Sequence, residues 1–291
     1  MAKRRPPTIH GLAIVDKPAG VTSHDVVNQL RKQLGERRIG HAGTLDPDAT
    51  GVLLVGVGYV TRLLQFLSGL DKTYTAEVVL GTETNTLDSS GTVTATHDMS
   101  KVTPQLVRQA AQQLTGNIMQ VPPMVSAIQI GGKRLHQLAR EGIEVERKPR
   151  PVTIYSFDVD STDVPQIFRV SVRCSAGTYV RTLAADLGKL LGGGAHLRNL
   201  RRVAVGAFDI SLAHPPSEIE LLPAATAVGN LTHINVDNEI SAMVRHGRVL
   251  DAWSGVPPWA VFDEHGSLLA VYEPFEEGRA KPVVVLAEPL A

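Results

Sequence analysis

A short segment, Gly40 to Gly51, holds the residues whose types and spacing best suit covalent chemistry. It reads Gly-His-Ala-Gly-Thr-Leu-Asp-Pro-Asp-Ala-Thr-Gly and carries two carboxylates, Asp46 and Asp48. Its glycines let a ligand approach the backbone closely, and Pro47 biases Asp46 toward an extended conformation. An ionised carboxylate can act as a nucleophile that later leaves again. Taken alone, an Asp-Pro pair in a loop is more typical of a turn.

Regular elements on both sides would hold this segment in place. Before it, a helix is predicted with Ser23 as its N-cap, Val26, Val27 and Leu30 on its apolar face, and Gly35 at its end. After it, the apolar run 52–57 predicts a buried strand. Further along the chain the pattern predicts strands at 73–80, 152–160 and 166–174, helices at 103–116 and 179–191, and a basic turn after Gly194 that leads into residues 203–210.

The mixture of elements indicates an α+β fold with a large, mixed and mainly antiparallel sheet flanked by helices. Pro215-Pro216 marks a domain limit, and the tail combines a helix near 239–245 with strands near 258–263, 267–272 and 282–287. We therefore predict a catalytic domain over 1–215, a linker over 216–237 and a small, mostly β domain over 238–291. Within the first domain, the basic and Pro/Gly-rich residues 121–151 form an excursion, the thumb segment.

Charge is unevenly distributed although the chain is neutral overall. Residues 1–202 hold 25 Lys and Arg against 17 Asp and Glu, a balance of +8, and residues 203–291 hold 4 against 12, a balance of −8. Such a split suggests that the first part of the chain meets a polyanion such as nucleic acid.

Other features limit the class of protein. No apolar run approaches the roughly 20 residues that cross a bilayer, and no secretory signal follows the basic N-terminus. The single cysteine, Cys174, rules out an intrachain disulfide and fits a cytoplasmic protein. The histidines lack metal-ligand spacing, and the three glycines at 192–194 match neither a P-loop nor a dinucleotide fingerprint. We expect no metal and no cofactor.

The segment around Asp46 resembles the catalytic loop of the pseudouridine synthases, and of their TruB-type bacterial tRNA branch in particular. The resemblance continues in the same order along residues 10–210. Its further motifs are Leu12 to Ser23, Asp71 to Tyr74, Gln120 to Ala127, Arg173 to Leu183 and Gly194 to Arg202. The tail is similar to a shortened PUA-like RNA-binding domain.

The resemblance implies an isomerisation of uridine 55 in the T loop of tRNA to pseudouridine. Asp46 would be the nucleophile, attacking either C6 of the base or C1′ of the sugar. Arg181 would keep that carboxylate ionised, since a guanidinium stays protonated and can bind a carboxylate through two bonds. Tyr74 would stack on the uracil and assist removal of the C5 proton. The alternatives are a structural ion pair of Arg181 with an acid such as Asp186, and a core role for Tyr74.

The resemblance also implies residues that bind RNA. Because the target base lies in a folded loop, it must be flipped out. His41 would take its place in the stack, Leu200 would pack beside it, and Thr44 lies in the same catalytic loop. Candidate phosphate contacts are the basic residues of the motifs and of the thumb segment, namely Lys17, Lys72, Lys133, Arg134, Arg140, Arg198, Arg201 and Arg202. We expect the thumb segment to become ordered on the T arm.

The expected partner is therefore tRNA, bound by a monomer without an obligatory protein partner. Two other readings stay open at this point. One is a non-catalytic module that binds RNA or helps tRNA fold, and the other is a pseudouridine synthase that acts on another RNA.

Overall fold

The computed structural model describes residues 6–126, 129–130 and 132–290. The chain forms two units. The first unit contains Met1–Pro47, Val52–Gly69 and Ser211–Ala291, and the second contains Asp48–Gly51 and Leu70–Ile210. The domain limits that we inferred from the sequence, 1–215, 216–237 and 238–291, stay a prediction.

The α-helices are α1 (Ser23–Leu34), α2 (Leu64–Ser68), α3 (Pro104–Gln113), α4 (Leu135–Arg140), α5 (Val180–Leu190) and α6 (Asn238–Arg245). Short 3-10 helices cover Gly58–Arg62, Ile210–Leu212 and Ala224–Val228. None of the helices in the described ranges is long and apolar enough to span a bilayer.

The strands, in chain order, are β1 (Gly11–Lys17), β2 (Ile39–Ala42), β3 (Thr50–Val57), β4 (Lys72–Leu80), β5 (Thr82–Thr84), β6 (Val93–Thr96), β7 (Gly116–Gln120), β8 (Gln129–Ile130), β9 (Lys133–Arg134), β10 (Arg150–Ser161), β11 (Ile167–Cys174), β12 (Ala195–Val205), β13 (Phe208–Asp209), β14 (Thr232–Asn235), β15 (Leu250–Asp251), β16 (Trp259–Phe262), β17 (Leu268–Phe275) and β18 (Arg279–Leu290).

Helix α1 of the first unit begins with a capping box. The side chain of Thr22 accepts a hydrogen bond from the Asp25 amide, and the Thr22 amide donates to the Asp25 carboxylate. The prediction that Ser23 is the N-cap was wrong, because the structure uses the neighbouring hydroxyl and leaves that of Ser23 for another contact. The apolar face of α1 packs with residues of β1, β2 and β3 into a core of Ala13, Val15, Val26, Val27, Leu30, Ile39, Leu53, Val55 and Val57.

The C-terminal part of the first unit carries a five-stranded sheet in the order β14-β16-β17-β18-β15, with α6 contacting β17 and β18. A hairpin turn from Asp263 to Gly266 joins β16 to β17. The Asp263 amide donates to the Ser267 carbonyl, and the Asp263 carboxylate accepts from the His265 and Ser267 amides. Gly266 in the same turn adopts a φ of 78°. These strands and α6 confirm the predicted small, mostly β module.

The second unit is built on a sheet in the order β12-β4-β11-β10-β7, in which every neighbouring pair is antiparallel. The first residues of β3, Thr50 and Gly51, run parallel to Arg201 and Arg202 of β12. Helix α5 packs against β12, α3 packs against β10, and the two helices contact each other. The prediction of an α+β fold with a mixed, mainly antiparallel sheet flanked by helices is confirmed.

Strand β12 differs from the prediction. We expected a basic turn after Gly194 and a strand over 203–210, but one strand already begins at Ala195 and ends at Val205. Its pairing with β4 shifts register between Arg198 and Arg201, where Asn199 has a φ of 54°. A β-bulge interrupts the alternation of side chains. For this reason the period of two that marks a strand is hidden in this part of the sequence.

Candidate active site

The loop around Asp46 is fixed on its C-terminal side by Lys17. This lysine, at the end of β1, is fully buried. Its ammonium group donates to the carbonyl oxygens of Pro18 at 2.8 Å, Val21 at 2.7 Å and Pro47 at 2.9 Å. The Pro47 carbonyl also accepts from the Gly20 amide at 3.0 Å. The residue that follows Asp46 is therefore tied to the motif at the start of the chain.

The N-terminal side of the same loop is fixed by Ser23. The Ser23 hydroxyl donates to the Leu45 carbonyl at 3.1 Å and accepts from the Leu45 amide at 2.9 Å. Ser23 is buried, so water does not compete for these bonds. Asp46 thus lies between two anchored neighbours, and its own side chain stays partly exposed. Such fixation is what preorganises a nucleophile.

Two glycines of the loop are required by geometry. Gly43 and Gly51 have φ angles of 73° and 100°, which side chains rarely tolerate. A Cβ atom on Gly51 would lie only 2.1 Å from the Arg202 carbonyl oxygen. The glycine that ends the motif therefore permits the close approach of β3 to β12.

In the second unit, Tyr74 lies on β4 and is buried, opposite Val172 on β11 and Arg202 on β12. Lys72, two residues before it on the same strand, is also buried, and its ammonium group donates to the Leu70 carbonyl at 2.6 Å. Burial, together with the charge of Arg202, lowers the pKa of Lys72 to about 8. The even-numbered residues of β4, from Lys72 to Leu80, thus form its buried face.

Arg181 is the second residue of α5, and its side chain binds groups on two other segments of the second unit. Nη1 donates to the Thr86 carbonyl at 2.9 Å and lies 3.4 Å from an Asp88 carboxylate oxygen, and Nη2 donates to the Val125 carbonyl at 2.9 Å. Arg181 is only 4% exposed. The guanidinium is thus fixed in place by the loop after β5 and by the thumb segment.

Asp88 is a residue that the sequence analysis missed. Its carboxylate accepts from the Thr86 hydroxyl and from both the amide and the hydroxyl of Ser90, in addition to pairing with Arg181. The signal in the sequence is an acid within the turn-forming run 85–91, which alone is typical of an ordinary turn. The alternative partner, Asp186, instead lies 3.9 Å from Lys189, and burial raises the pKa of Asp186.

Several predicted phosphate contacts lie at buried positions, and their roles stay predictions. Lys17 is fully buried, and its ammonium group donates to the carbonyls of Pro18, Val21 and Pro47. Arg202 is 1% exposed and Lys72 is 7% exposed, so neither lies on the surface. Burial of an ammonium or guanidinium group disfavours contact with a phosphate at the protein surface.

The remaining basic candidates lie at the surface or outside the described side chains. Arg198 and Arg201 are partly exposed, and Arg198 pairs with Glu77 at 2.7 Å. The side chains of Lys133, Arg134 and Arg140 lie outside the part of the chain that the structure describes.

The predicted substrate residues occupy separate elements. His41 lies in β2 opposite Val55 and is partly buried, Thr44 is exposed, and Leu200 lies partly buried in the bulged part of β12. Asp46, His41 and Thr44 belong to the first unit, whereas Tyr74, Arg181 and Leu200 belong to the second. Their roles stay predictions. Among the described residues no group of three His, Cys, Asp or Glu could hold a metal ion.

Comparison with known proteins identifies the family. Residues 31–180 match the N-terminal domain of the TruB family pseudouridylate synthases, residues 181–225 match the tRNA pseudouridylate synthase B C-terminal domain, and residues 232–287 match the tRNA pseudouridine synthase II C-terminal domain.

Individual relatives agree with this assignment. A tRNA pseudouridine synthase B from Halalkalibacterium halodurans is 41% identical over 95% of this chain and 97% of its own length. One from Streptomyces coelicolor is 44% identical over 96% of this chain and 97% of its own length. The solved structure of a Cbf5-Nop10-Gar1 complex superposes with a TM-score of 0.72 and 25% identity, covering 95% of this chain and 84% of the other. The chain belongs to the TruB family of pseudouridylate synthases.

Proposed function

We propose that this enzyme isomerises uridine 55 in the T loop of tRNA to pseudouridine, with Asp46 as its nucleophile. The observation that carries the proposal is the double anchoring of the Asp46 loop, by Ser23 on one side and Lys17 on the other. A loop held at both neighbours suits a carboxylate that must meet one atom of a flipped nucleotide. The names of the relatives, tRNA pseudouridine synthase B, support tRNA as the substrate.

The chemistry can begin at either of two atoms. If the Asp46 carboxylate attacks C1′, the bond from C1′ to N1 breaks and uracil leaves as an anion. If it attacks C6, the adduct weakens the same bond. In both cases the uracil turns, C5 bonds to C1′, Asp46 is released, and the C5 proton is lost while N1 gains one. Atoms and electrons balance without an external reactant, so the proposal needs no metal and no cofactor.

Arg181 is proposed to keep Asp46 ionised. A carboxylate that becomes covered by a bound base would otherwise have its pKa raised by desolvation. The family resemblance pairs Arg181 with Asp46. The guanidinium is held by Thr86, Asp88 and Val125, which suits a residue that must meet a carboxylate at a defined position.

Tyr74 is proposed to contact the uracil. Its buried place on β4 suits a ring that stacks on the base, and its hydroxyl could assist loss of the C5 proton. His41 is proposed to occupy the space of the flipped base, where stacking would contribute roughly 1–3 kcal/mol. Leu200 and Thr44 are proposed to line the nucleotide.

Binding of the T arm is proposed to rest on surface cations rather than on Lys17, Lys72 or Arg202. Arg198 and Arg201, both partly exposed on β12, are the described candidates. Lys133, Arg134 and Arg140 of the thumb segment complete the set on sequence grounds. We further propose that the enzyme acts as a monomer in the cytoplasm and needs no protein partner.

The decisive test is tritium release from tRNA transcripts labelled at C5 of uridine. The wild-type enzyme should release tritium, and mapping should place pseudouridine at position 55 of the T loop. An Asp46→Asn variant should bind the tRNA and release none. Salt-sensitive binding by the wild type without any release would instead indicate a non-catalytic RNA-binding module. Release from a different uridine would indicate another RNA target.

A further inference from the structure

Gln120, the last residue of β7, makes a paired contact with the start of helix α5. Its side-chain Oε1 accepts from the Tyr179 amide at 2.8 Å, and its Nε2 donates to the Tyr179 carbonyl at 3.1 Å. Gln120 is 1% exposed. The side-chain amide has a single orientation, because a rotation by 180° would place its NH₂ group against the Tyr179 amide and its oxygen against the Tyr179 carbonyl.

Gln120 binds the backbone of the residue that begins helix α5. Tyr179 is the N-cap of α5, yet no side chain caps the helix there. The Tyr179 carbonyl also accepts from the Leu183 amide at 3.1 Å, so Gln120 and the first turn of α5 share one acceptor. Gln120, at the end of strand β7, therefore fixes the backbone two residues before Arg181.

The same chain segment reaches Arg181 a second time. Five residues after Gln120, the carbonyl of Val125 accepts from Arg181 Nη2 at 2.9 Å. Both the backbone at the start of α5 and the guanidinium of Arg181 are thus hydrogen-bonded to the segment that leaves β7 and enters the thumb segment. A change at Gln120 would disturb the position of both.

We infer that Gln120 is a positioning residue, which acts on the reaction through Arg181 and not by touching RNA. The inference rests on the proposed function of Arg181. A purely structural role would predict a loss of stability with normal turnover of the folded fraction. A direct RNA contact is the other alternative, because Gln120 also lines a pocket of about 210 Å³ together with Arg150 and Gly177.

The test uses the full-length protein and tRNA labelled at C5. Gln120→Met keeps the length of the side chain and removes both hydrogen bonds, whereas Gln120→Glu keeps only the acceptor for the Tyr179 amide. Met119→Gln, at an exposed position of the same strand, is the matched control. Single-turnover tritium release, the Kd for tRNA and the Tm are measured for each variant.

We expect the single-turnover rate of Gln120→Met to fall by a factor of about 10 to 100, as small displacements of catalytic groups do. The Kd should stay within about twofold of the wild type, and the rate of Met119→Gln should not change. A weakened Kd with a normal rate at saturation would replace the inference with a direct RNA contact. An unchanged rate would overturn it. Should Gln120→Met not fold, the same readouts on Gln120→Glu decide.

A double-mutant cycle separates action through Arg181 from an independent effect. In the Arg181→Lys background, Gln120→Met should cause no further loss of rate, because the residue that it positions is gone. Fully additive losses would overturn the inference. Wild-type enzyme that released no tritium would refute the proposed function itself, which is a different outcome from a normal rate in Gln120→Met.

Discussion

The ammonium group of Lys17 lies 2.9 Å from the carbonyl oxygen of Pro47, the residue directly after Asp46. The buried cation thus holds the Asp46 loop by its backbone. Since it also binds the Pro18 and Val21 carbonyls, it links the first motif of the chain to the second. The two motifs work as one structural element.

Replacing Lys17 by Met should therefore impair the reaction more than RNA binding. The carbonyls of Pro18, Val21 and Pro47 would each lose the donor that joins them to Lys17, and the Pro47 carbonyl would keep its bond from the Gly20 amide. We expect the single-turnover rate to fall on the order of 100-fold through displacement of Asp46. The Kd for tRNA should change little. Lys101→Met, at an exposed lysine, is the control. A large loss of affinity at a normal rate would restore Lys17 as a phosphate contact.

Thr22 and Ser23 are adjacent hydroxyl residues with different hydrogen-bond partners, so their alanine variants should differ in stability and in reaction rate. Thr22→Ala removes the cap of α1 and should lower the free energy of unfolding by about 1 kcal/mol with a normal rate. Ser23→Ala frees both backbone groups of Leu45 and should slow tritium release about tenfold. Urea unfolding and single-turnover assays on the same preparations compare the two. Equal rates in both variants would contradict an anchoring role for Ser23.

The same pair shows what the sequence alone can and cannot predict. The capping residue types, the apolar face and the final Gly35 predict α1 correctly, because they depend on local geometry. Which hydroxyl caps the helix is decided by the distant Leu45, which no local pattern reveals. Helices α5 and α6 were likewise predicted close to their limits, whereas the bulge near Asn199 hid the first part of β12.

Burial of charge is the other feature that the sequence does not reveal. Lys17 and Arg202 look like surface cations in the sequence because their burial depends on segments that only the fold brings near. Asp88 was missed for the opposite reason, since its partner Arg181 lies 93 positions later in the chain. The motif containing Asp46 was predicted from residue types and order, and its anchors had to be observed.

Lys72 should give stability a distinct pH dependence. Burial lowers its pKa to about 8 in the folded state, below the ordinary lysine pKa of 10.5, so between these values the unfolded state binds more protons than the native state. Stability from this group therefore rises with pH across that window, by at most about 3 kcal/mol. In urea titrations from pH 7 to 10.5, the wild type should gain stability relative to Lys72→Met. If the difference in the free energy of unfolding between the two proteins stayed constant with pH, the pKa of Lys72 would not be lowered in the folded state.

Gly51 should tolerate no side chain. With a φ of 100°, an added Cβ would lie 2.1 Å from the Arg202 carbonyl oxygen, which is backbone and cannot turn aside. We expect Gly51→Ala to lower the free energy of unfolding by more than about 3 kcal/mol. Gly35→Ala is the control, because its φ is also positive but nothing lies within 4 Å. It should cost about 1 kcal/mol. Similar midpoints of urea unfolding for the two variants would contradict the close approach of β3 and β12.

Arg201 and Arg202 are neighbours on β12 that should respond differently to loss of charge. Arg201 is partly exposed, whereas Arg202 is buried. If Arg201 contacts a phosphate, Arg201→Gln should weaken tRNA binding and reduce the slope of log K against log salt by about 1. Arg202→Gln should mainly lower the Tm, because it disturbs a buried site beside Tyr74. Filter binding over a salt series measures the slopes. An unaltered slope in Arg201→Gln would remove Arg201 from the RNA footprint and leave Arg198 and the thumb segment as the remaining candidates.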